Sequence, residues 1–272
     1  MARLFDAISQ CASLRSLDVS HNAIKRKAAE ALGRALAMPT CSILELDISC
    51  CEISSKAAEL IADGLSRRKV IESLAAGGND FADAGAVSFF TALSACPQLR
   101  SVDFEDSALT VNCMDSLAIM IQTCQIAELD LSDNQLNSNA IAPLFAALSR
   151  QPRYILELRL GENLISTPAC ADMLEVCTGL TELDLSENLI DQSGAHALAM
   201  ILSDHPSIET LDLTGNSIES GGLLALVLAF VANKESAKTL LLPEPDEDDF
   251  SGSVIDLAGR AIHGTEKSIE MR

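Results

Sequence analysis

The chain has 272 residues and a formal net charge of −20, with 48% hydrophobic and 21% charged residues, a globular composition that argues against wholesale disorder. There is no Trp, and Tyr154 is the single Tyr, so aliphatic side chains must fill the core and sites built on aromatic stacking, such as single-strand nucleic-acid platforms, are disfavoured. Residues 1–69 carry ten Lys/Arg against eight Asp/Glu and residues 70–272 carry nine against thirty-one; such an acidic body repels phosphates and argues against nucleic acid as a ligand.

The first residues, Met1 to Ile8, lack the long apolar core of a signal peptide, and no stretch offers about 18 uncharged apolar residues for a membrane span; Leu223 to Val231 is too short. Leu4, Phe5 and Ile8 read as a helix from a preceding unit, which leaves open that the chain is a slice or one end of a longer protein.

From residue 14 onward one pattern returns: apolar-x-x-apolar-x-apolar-x-x-Asn-x-apolar. Its marker position holds Asn22, Cys51, Asn79, Ser107, Asn134, Asn163, Asn188 and Asn216, with Pro245 in a decayed ninth unit. The apolar triplets before the markers are Leu14/Leu17/Val19, Ile43/Leu46/Ile48, Ile71/Leu74/Ala76, Leu99/Val102/Phe104, Ile126/Leu129/Leu131, Ile155/Leu158/Leu160, Leu180/Leu183/Leu185 and Ile208/Leu211/Leu213. The last two members of each triplet alternate as a short strand requires. Six residues after the marker stands a small residue (Ala28, Ala57, Gly85, Cys113, Ala140, Ala169, Gly194, Gly222), and ten and fourteen residues after it stand larger apolar ones. Offsets of six, ten and fourteen share one helical face, so each unit is a strand, a turn and an amphipathic helix. Ser54, Ser55, Asp83, Ser193 and Ser220 fit the capping rule at helix starts.

The steps between markers are 29, 28, 28, 27, 29, 25, 28 and 29 residues, a fixed period that marks a solenoid and excludes two separate domains. The pattern resembles the leucine-rich repeat family, and within it the ribonuclease-inhibitor-like class, over residues 4–242. The resemblance implies an α/β horseshoe with a parallel sheet on the concave face and helices on the convex face. It also implies that the marker Asn satisfies backbone groups where the chain leaves the strand, with Cys or Ser partly replacing it. The 25-residue step across Thr167 to Gly179 implies a shortened helix. The expected layout is a single domain over residues 1–272: a leading helix over 1–13, eight repeats over 14–236, a degenerate last repeat and C-terminal cap over 237–265, and a tail over 266–272. Within the cap, Ser251 to His263 carries the apolar residues of a closing helix.

Strand residues between the apolar positions point to the concave face. The central row is Asp18, Asp47, Ala75, Asp103, Asp130, Arg159, Asp184 and Asp212; the row before it includes Glu45, Glu128, Glu157 and Glu182; and Glu105, Asp106, Asp133, Glu162 and Glu187 lie at strand exits. Neighbouring parallel strands are about 4.8 Å apart, so these carboxylates repel, and a cationic partner relieves the repulsion. The span from Asp103 to Asp184, with Arg159 inside it, is the expected footprint. Leu-Asp-Leu-Ser is also close to what the family uses by default, which makes a merely solvated face the competing reading. Two basic clusters lie off this face: Lys25-Arg26-Lys27 in the loop after the first strand, and Arg67-Arg68-Lys69 at the end of the second unit's helix, where cations oppose the helix dipole.

No catalytic constellation is evident. His21, His196, His205 and His263 have no metal-ligand spacing, the glycines fall at the repeat's small position and leave no phosphate-cradling loop, and an open sheet offers no dry pocket to shift carboxylate pKa values. The nine cysteines form no C-x-x-C and, without a secretory signal, point to a reducing, cytoplasmic setting. Cys11, Cys96 and Cys177, three residues before a unit's first apolar residue, read as buried packers, and the Cys50-Cys51 pair as structural. The sequence therefore reads as a non-enzymatic, monomeric protein-interaction scaffold without cofactor or metal, whose concave face binds a basic protein partner. The alternatives from resemblance are a Ran-type GTPase activator, although no segment matches that family's arginine-bearing loop, the sensing or autoinhibitory region of a larger receptor, and a cytoskeletal scaffold.

Overall fold

The computed structural model describes residues 1–166, 168–234, 236–244 and 267–272, without the side chains of residues 168–171. Each apolar pair separated by one residue becomes a three-residue strand with its middle side chain inward: β1 Ser16–Asp18, β2 Glu45–Asp47, β3 Ser73–Ala75, β4 Ser101–Asp103, β5 Glu128–Asp130, β6 Glu157–Arg159, β7 Glu182–Asp184 and β8 Thr210–Asp212. Leu17, Leu46, Leu74, Val102, Leu129, Leu158, Leu183 and Leu211 fill the core side of these strands. The helices are α1 Ala2–Ile8, α2 Arg26–Ala37, α3 Ser55–Arg68, α4 Ala82–Leu93, α5 Met114–Thr123, α6 Ser138–Leu148, α7 Pro168–Val176, α8 Gln192–Leu202 and α9 Ser220–Ala232. The nine-residue α7 is shorter than α6 or α8, as the 25-residue step requires.

All strands pair in parallel with their sequence neighbours in one sheet. Strands lie about 4.8 Å apart and helices 8–10 Å apart, so the two layers keep pace only if the sheet curves with its strands inside. That is the leucine-rich repeat horseshoe. Its register is in phase from end to end: Asp18 pairs with Asp47, Ala75 with Asp103, Asp130 with Arg159, and Asp184 with Asp212. The small position holds the layers together. A Cβ on Gly85 would lie 2.5 Å from Phe81 Cβ, and one on Gly222 would lie 2.8 Å from Ile218 Cγ2.

Units are tied by the marker side chains. Asn188 accepts from the Ile165 N–H (2.9 Å) and donates to the carbonyls of Leu160 (2.9 Å) and Ser186 (2.9 Å). Asn79, Asn134, Asn163 and Asn216 repeat the arrangement. Where Cys51 stands instead, its thiol donates to the Val19 carbonyl (3.1 Å), and its own carbonyl receives the Ile24 N–H (2.8 Å) that elsewhere goes to an Asn oxygen. The residue before the marker has positive φ in every unit, but among the eight residues that follow the marker Glu52 and Ala108 alone have it, in the two units where Cys51 and Ser107 replace Asn, so the backbone turns differently where the Asn side chain is lost. A cluster of Phe81, Phe89, Phe90 and Phe104 with centroids 4.9–5.7 Å apart thickens the core of the third and fourth units, an aromatic contribution not expected from so few rings.

Several sequence expectations are corrected. Residues 268–271 are not a frayed tail: Ser268–Met271 forms β10, parallel to β9 (Thr239–Leu242), with Leu240 opposite Ile269, a full repeat length along the chain. Lys267 anchors it by donating to the Phe230 carbonyl (2.7 Å) at the end of α9 and lying over the Phe230 ring. Among the described residues the side chains that cap are Thr110, accepting from Asn112 ahead of the short 3-10 turn Val111–Cys113, Asn137, accepting from Asn139 and Ala140, and Asp191, accepting from Ser193 and Gly194. By contrast Ser54 makes no cap bond, the Ser55 hydroxyl reaches the Phe81 carbonyl (2.6 Å), Asp83 binds Thr110 (2.6 Å), and the Ser220 hydroxyl is buried without a partner. The partners of Ser55 and Asp83 lie in neighbouring units, which a single-helix rule does not see. Arg26 and Lys27 belong to α2 rather than a loop. Nor do the glycines keep to the small position: Gly33 sits where a Cβ would meet the Leu60 carbonyl oxygen at 2.2 Å, letting α2 and α3 approach closely. Pro245 and the helix expected over Ser251–His263 lie outside the described residues.

Candidate functional site

The predicted concave residues fall into rows set by the strand register. Asp18, Asp47, Asp103, Asp130, Asp184 and Asp212 line the central row, interrupted at Ala75 and Arg159. Glu45, Glu128, Glu157 and Glu182 form the row beside it, with Ser73, Ser101 and Thr210 between and beyond them. Ala75 separates Asp18, Glu45 and Asp47 from the central group, and Asp212 closes the row towards β9, where Leu241 takes the place of an acid.

The central aspartates also have a structural task. Each accepts the backbone N–H two residues on: Asp18 from Ser20 (2.9 Å), Asp47 from Ser49 (2.9 Å), Asp103 from Glu105 (2.9 Å), Asp130 from Ser132 (2.9 Å), Asp184 from Ser186 (2.8 Å) and Asp212 from Thr214 (2.9 Å). These are Asx turns that end the strand. An Asn side chain offers the same acceptor, so the turn accounts for an Asx residue but not for its charge.

The charge has a cost. Burial, reinforced by Asp130 and Asp47, holds the Asp103 carboxyl above the usual carboxylate range, although the Glu105 backbone N–H and Arg159 pull the other way. Burial, followed by Asp130, Asp103, Asp133 and Asp106, does the same to Glu105. At the open end of the row the Asp18 carboxyl is lowered by the Ser20 hydroxyl and amide. Arg159 is not a free cation for a partner: it donates to Glu157 (2.8 Å) and Glu182 (3.0 Å), a clamp across β6 and β7. Burial alone would lower its pKa, but Glu182, Glu157 and Asp130 outweigh it and raise it.

Asp133 and Glu187 stand one residue before the marker, together with Asp106 and Glu162, and each has a positive φ. The same position is left-handed in all eight units, filled otherwise by His21, Cys50, Gly78 and Gly215. The bend turns these side chains out of the sheet onto the edge where the strands exit. A Cβ on Gly215 would meet the Glu187 carboxyl carbon at 2.3 Å, so Glu187 leans across the next unit.

The basic clusters are largely self-paired: Lys25 with Glu52, Arg26 with Glu30 (3.1 Å) and Arg67 with Asp63 (2.8 Å), while Arg68 donates to the Cys41 carbonyl (3.0 Å). Cys96 and Cys177 are buried, their thiols pushed up by burial to about 11 and about 12. Cys11 and Cys50 correct the expectation, since both are exposed. Cys50 is turned out by its positive φ. His205 occupies the register position of Cys96 and Cys177 and is buried. Its Nδ1 accepts from the Ile208 N–H (3.0 Å), its Nε2 has no partner, and burial lowers its pKa. Sequence reading missed this role, although the shared register was a usable signal.

Among the described residues no group of three His, Cys, Asp or Glu side chains is arranged to hold a metal ion, and no helix is long and apolar enough to cross a membrane.

The leucine-rich repeat family profile matches residues 10–33, 41–62, 176–199 and 204–227. Ribonuclease inhibitor of Mus musculus is 27% identical over 197 residues, 70% of this chain and 43% of that protein. The Sus scrofa inhibitor is 28% identical over 193 residues, 69% of this chain and 42% of that protein. NACHT, LRR and PYD domains-containing protein 5 of Homo sapiens is 24% identical over 249 residues, 79% of this chain and 21% of that protein. The chain thus spans about two-fifths of the inhibitors and about a fifth of the NACHT protein.

Proposed function

The chain is a leucine-rich repeat protein of the ribonuclease-inhibitor-like class, and from that premise we propose that it is a non-enzymatic interaction module that binds a protein partner with a basic surface on its acidic concave face. The observation that carries this reading is the central row itself. It keeps six aspartates where asparagine would make the same turn, and its single cation is already held by Glu157 and Glu182. A face that stays acidic although burial and neighbouring carboxylates hold Asp103 and Glu105 above the usual carboxylate range fits a cationic ligand, and such a field makes association fast and salt-sensitive. Relatives named as inhibitors of ribonucleases support a protein ligand by analogy. The footprint runs from Asp103 to Asp184 and takes in Glu105, Glu128, Asp130, Asp133, Glu157 and Glu182. We further propose a monomeric, cytoplasmic protein in which residues 1–272 act as one domain.

The test is affinity capture from the native cell extract at low salt, with salt elution and mass spectrometry, comparing the wild type with Asp130→Lys, Glu157→Lys, Asp184→Lys. Loss of a basic, salt-eluted partner is expected; capture unchanged by the three reversals overturns the reading. The similarity to NACHT, LRR and PYD domains-containing proteins favours one second reading, in which the module serves as the sensing region of a larger protein.

A further inference from the structure

The residue directly after the marker faces solvent at the edge where the strands exit, and the fold sets almost no demand on it. Five of the eight units place Ala23, Glu52, Asp80, Gln135 or Ser217 there, all exposed, and a sixth places the half-buried Ala108. Two adjacent units break this rule with large apolar side chains: Leu164 is 48% exposed and Leu189 is 56% exposed. They are neighbours in space as well, because the Leu189 N–H donates to the Ile165 carbonyl (2.9 Å) and the Leu164 N–H to the Leu136 carbonyl (2.9 Å), a short parallel ladder beyond the main sheet.

The surroundings of this pair are acidic. Glu162 and Glu187 stand two residues before each leucine, both exposed and both turned outward by a positive φ, with Asp133 in the same register one unit earlier. The same two units carry the Glu157–Arg159–Glu182 clamp on their concave side. Exposed leucines that the repeat does not need, framed by carboxylates, describe a docking surface with an apolar centre and an anionic frame.

We propose that Leu164 and Leu189 form the apolar anchor point of the partner site, accepting an aliphatic side chain from a basic segment whose lysines or arginines meet Glu162, Glu187 and Asp133. This rests on the acidic-face reading above and deepens it: the carboxylates steer, and the leucine pair supplies the short-range contact that distinguishes one basic partner from another. Charge alone admits any cationic chain. A leucine pair rewards only a cationic chain that presents apolar surface at the strand-exit edge.

The test uses two fluorescein-labelled synthetic peptides of equal length and charge, one of Lys, Gly and Ser and the other with two of its serines replaced by leucine, measured by fluorescence anisotropy against the full chain. The expected result is that the leucine-bearing peptide binds about tenfold more tightly. Leu164→Ser with Leu189→Ser is expected to abolish that advantage and leave the weaker, salt-sensitive binding of both peptides. Ser217 holds the equivalent position in another unit, so the variant is expected to fold. Met200→Ser, an 80% exposed apolar side chain on α8 of the convex side, is expected to change nothing. Equal affinities for the two peptides, or an advantage that survives the leucine substitutions, overturn the inference while leaving the acidic-face reading intact. A leucine-dependent advantage with no response to salt or to the Asp130, Glu157 and Asp184 reversals would sustain the anchor and overturn the acidic-face reading. Absence of binding by either peptide overturns both.

Discussion

Asp103→Asn is expected to stabilise the protein. The Asn oxygen can accept the Glu105 N–H that Asp103 now holds at 2.9 Å, so the strand-ending turn survives while the charge is removed. Asp130 lies one strand away in register. Two unit charges about 4.8 Å apart repel by about 0.9 kcal/mol in water and about 3.5 kcal/mol at an effective dielectric of about 20; with solvent screening on an open face the gain should be about 1 kcal/mol. The sign follows from the pKa. The folded state holds the Asp103 proton more tightly than the unfolded chain does, so this group favours folding below the unfolded carboxylate range and loses that contribution as pH rises through its raised folded value. The advantage of Asp103→Asn should therefore be full at pH 7 and vanish at about pH 3, below the unfolded value of about 3.9. Urea unfolding of both proteins at the two pH values measures it. A variant less stable than wild type at pH 7, or a difference independent of pH, would refute the claim that the row is held under repulsion.

Other consequences follow from the unit-to-unit ties and the buried histidine. Asn188→Ala leaves the buried Ile165 N–H without its acceptor, while the Leu160 carbonyl keeps the Asn163 amide and the Ser186 carbonyl keeps the Glu162 N–H, and is expected to cost about 2 kcal/mol in urea unfolding, whereas Asn188→Cys, copying Cys51, should cost less; equal losses would contradict the compensation seen in the second unit. Because burial lowers the pKa of His205, its contribution to stability is present above the unfolded value of about 6.5 and declines as pH falls from there through the folded value. The neighbouring Cys177 thiol stays neutral in that window. His205→Asn keeps an acceptor for the Ile208 N–H and should lose less stability than wild type between pH 7.5 and pH 5; parallel pH profiles would discount the histidine.

The architecture was legible because each unit restates it. Eight triplets in phase fix the strand residues, and the same spacing predicted the register in which Asp130 meets Arg159 and Asp184 meets Asp212. The shortened α7 followed from a missing turn in the step length. What stayed hidden depends on contacts between units or on backbone torsion. Ser55 and Asp83 look like caps until their partners in the next unit are seen, and Cys50 looks buried until its positive φ turns it outward. The last strand was overlooked for a different reason: Ile269 follows Leu240 by one repeat, but four residues without the rest of the repeat pattern around them carry a weak period. For the site, the acidic rows were visible, whereas the turn-ending role of the aspartates and the clamp on Arg159 required coordinates. The leucine pair was within reach, since comparing the residue after each marker would have singled out Leu164 and Leu189.

The central claim is that carboxylate charge on the concave face, and not its shape alone, selects the partner. The direct measurement is the dissociation constant of the captured partner as a function of salt, for the wild type and for a charge-removed, shape-preserving variant, Asp130→Asn with Asp184→Asn, in which both turns keep their acceptors. The account predicts weaker binding by the variant at low salt, with a shallower salt dependence, and convergence of the two proteins at high salt. Equal affinities and equal salt slopes across the range would contradict it.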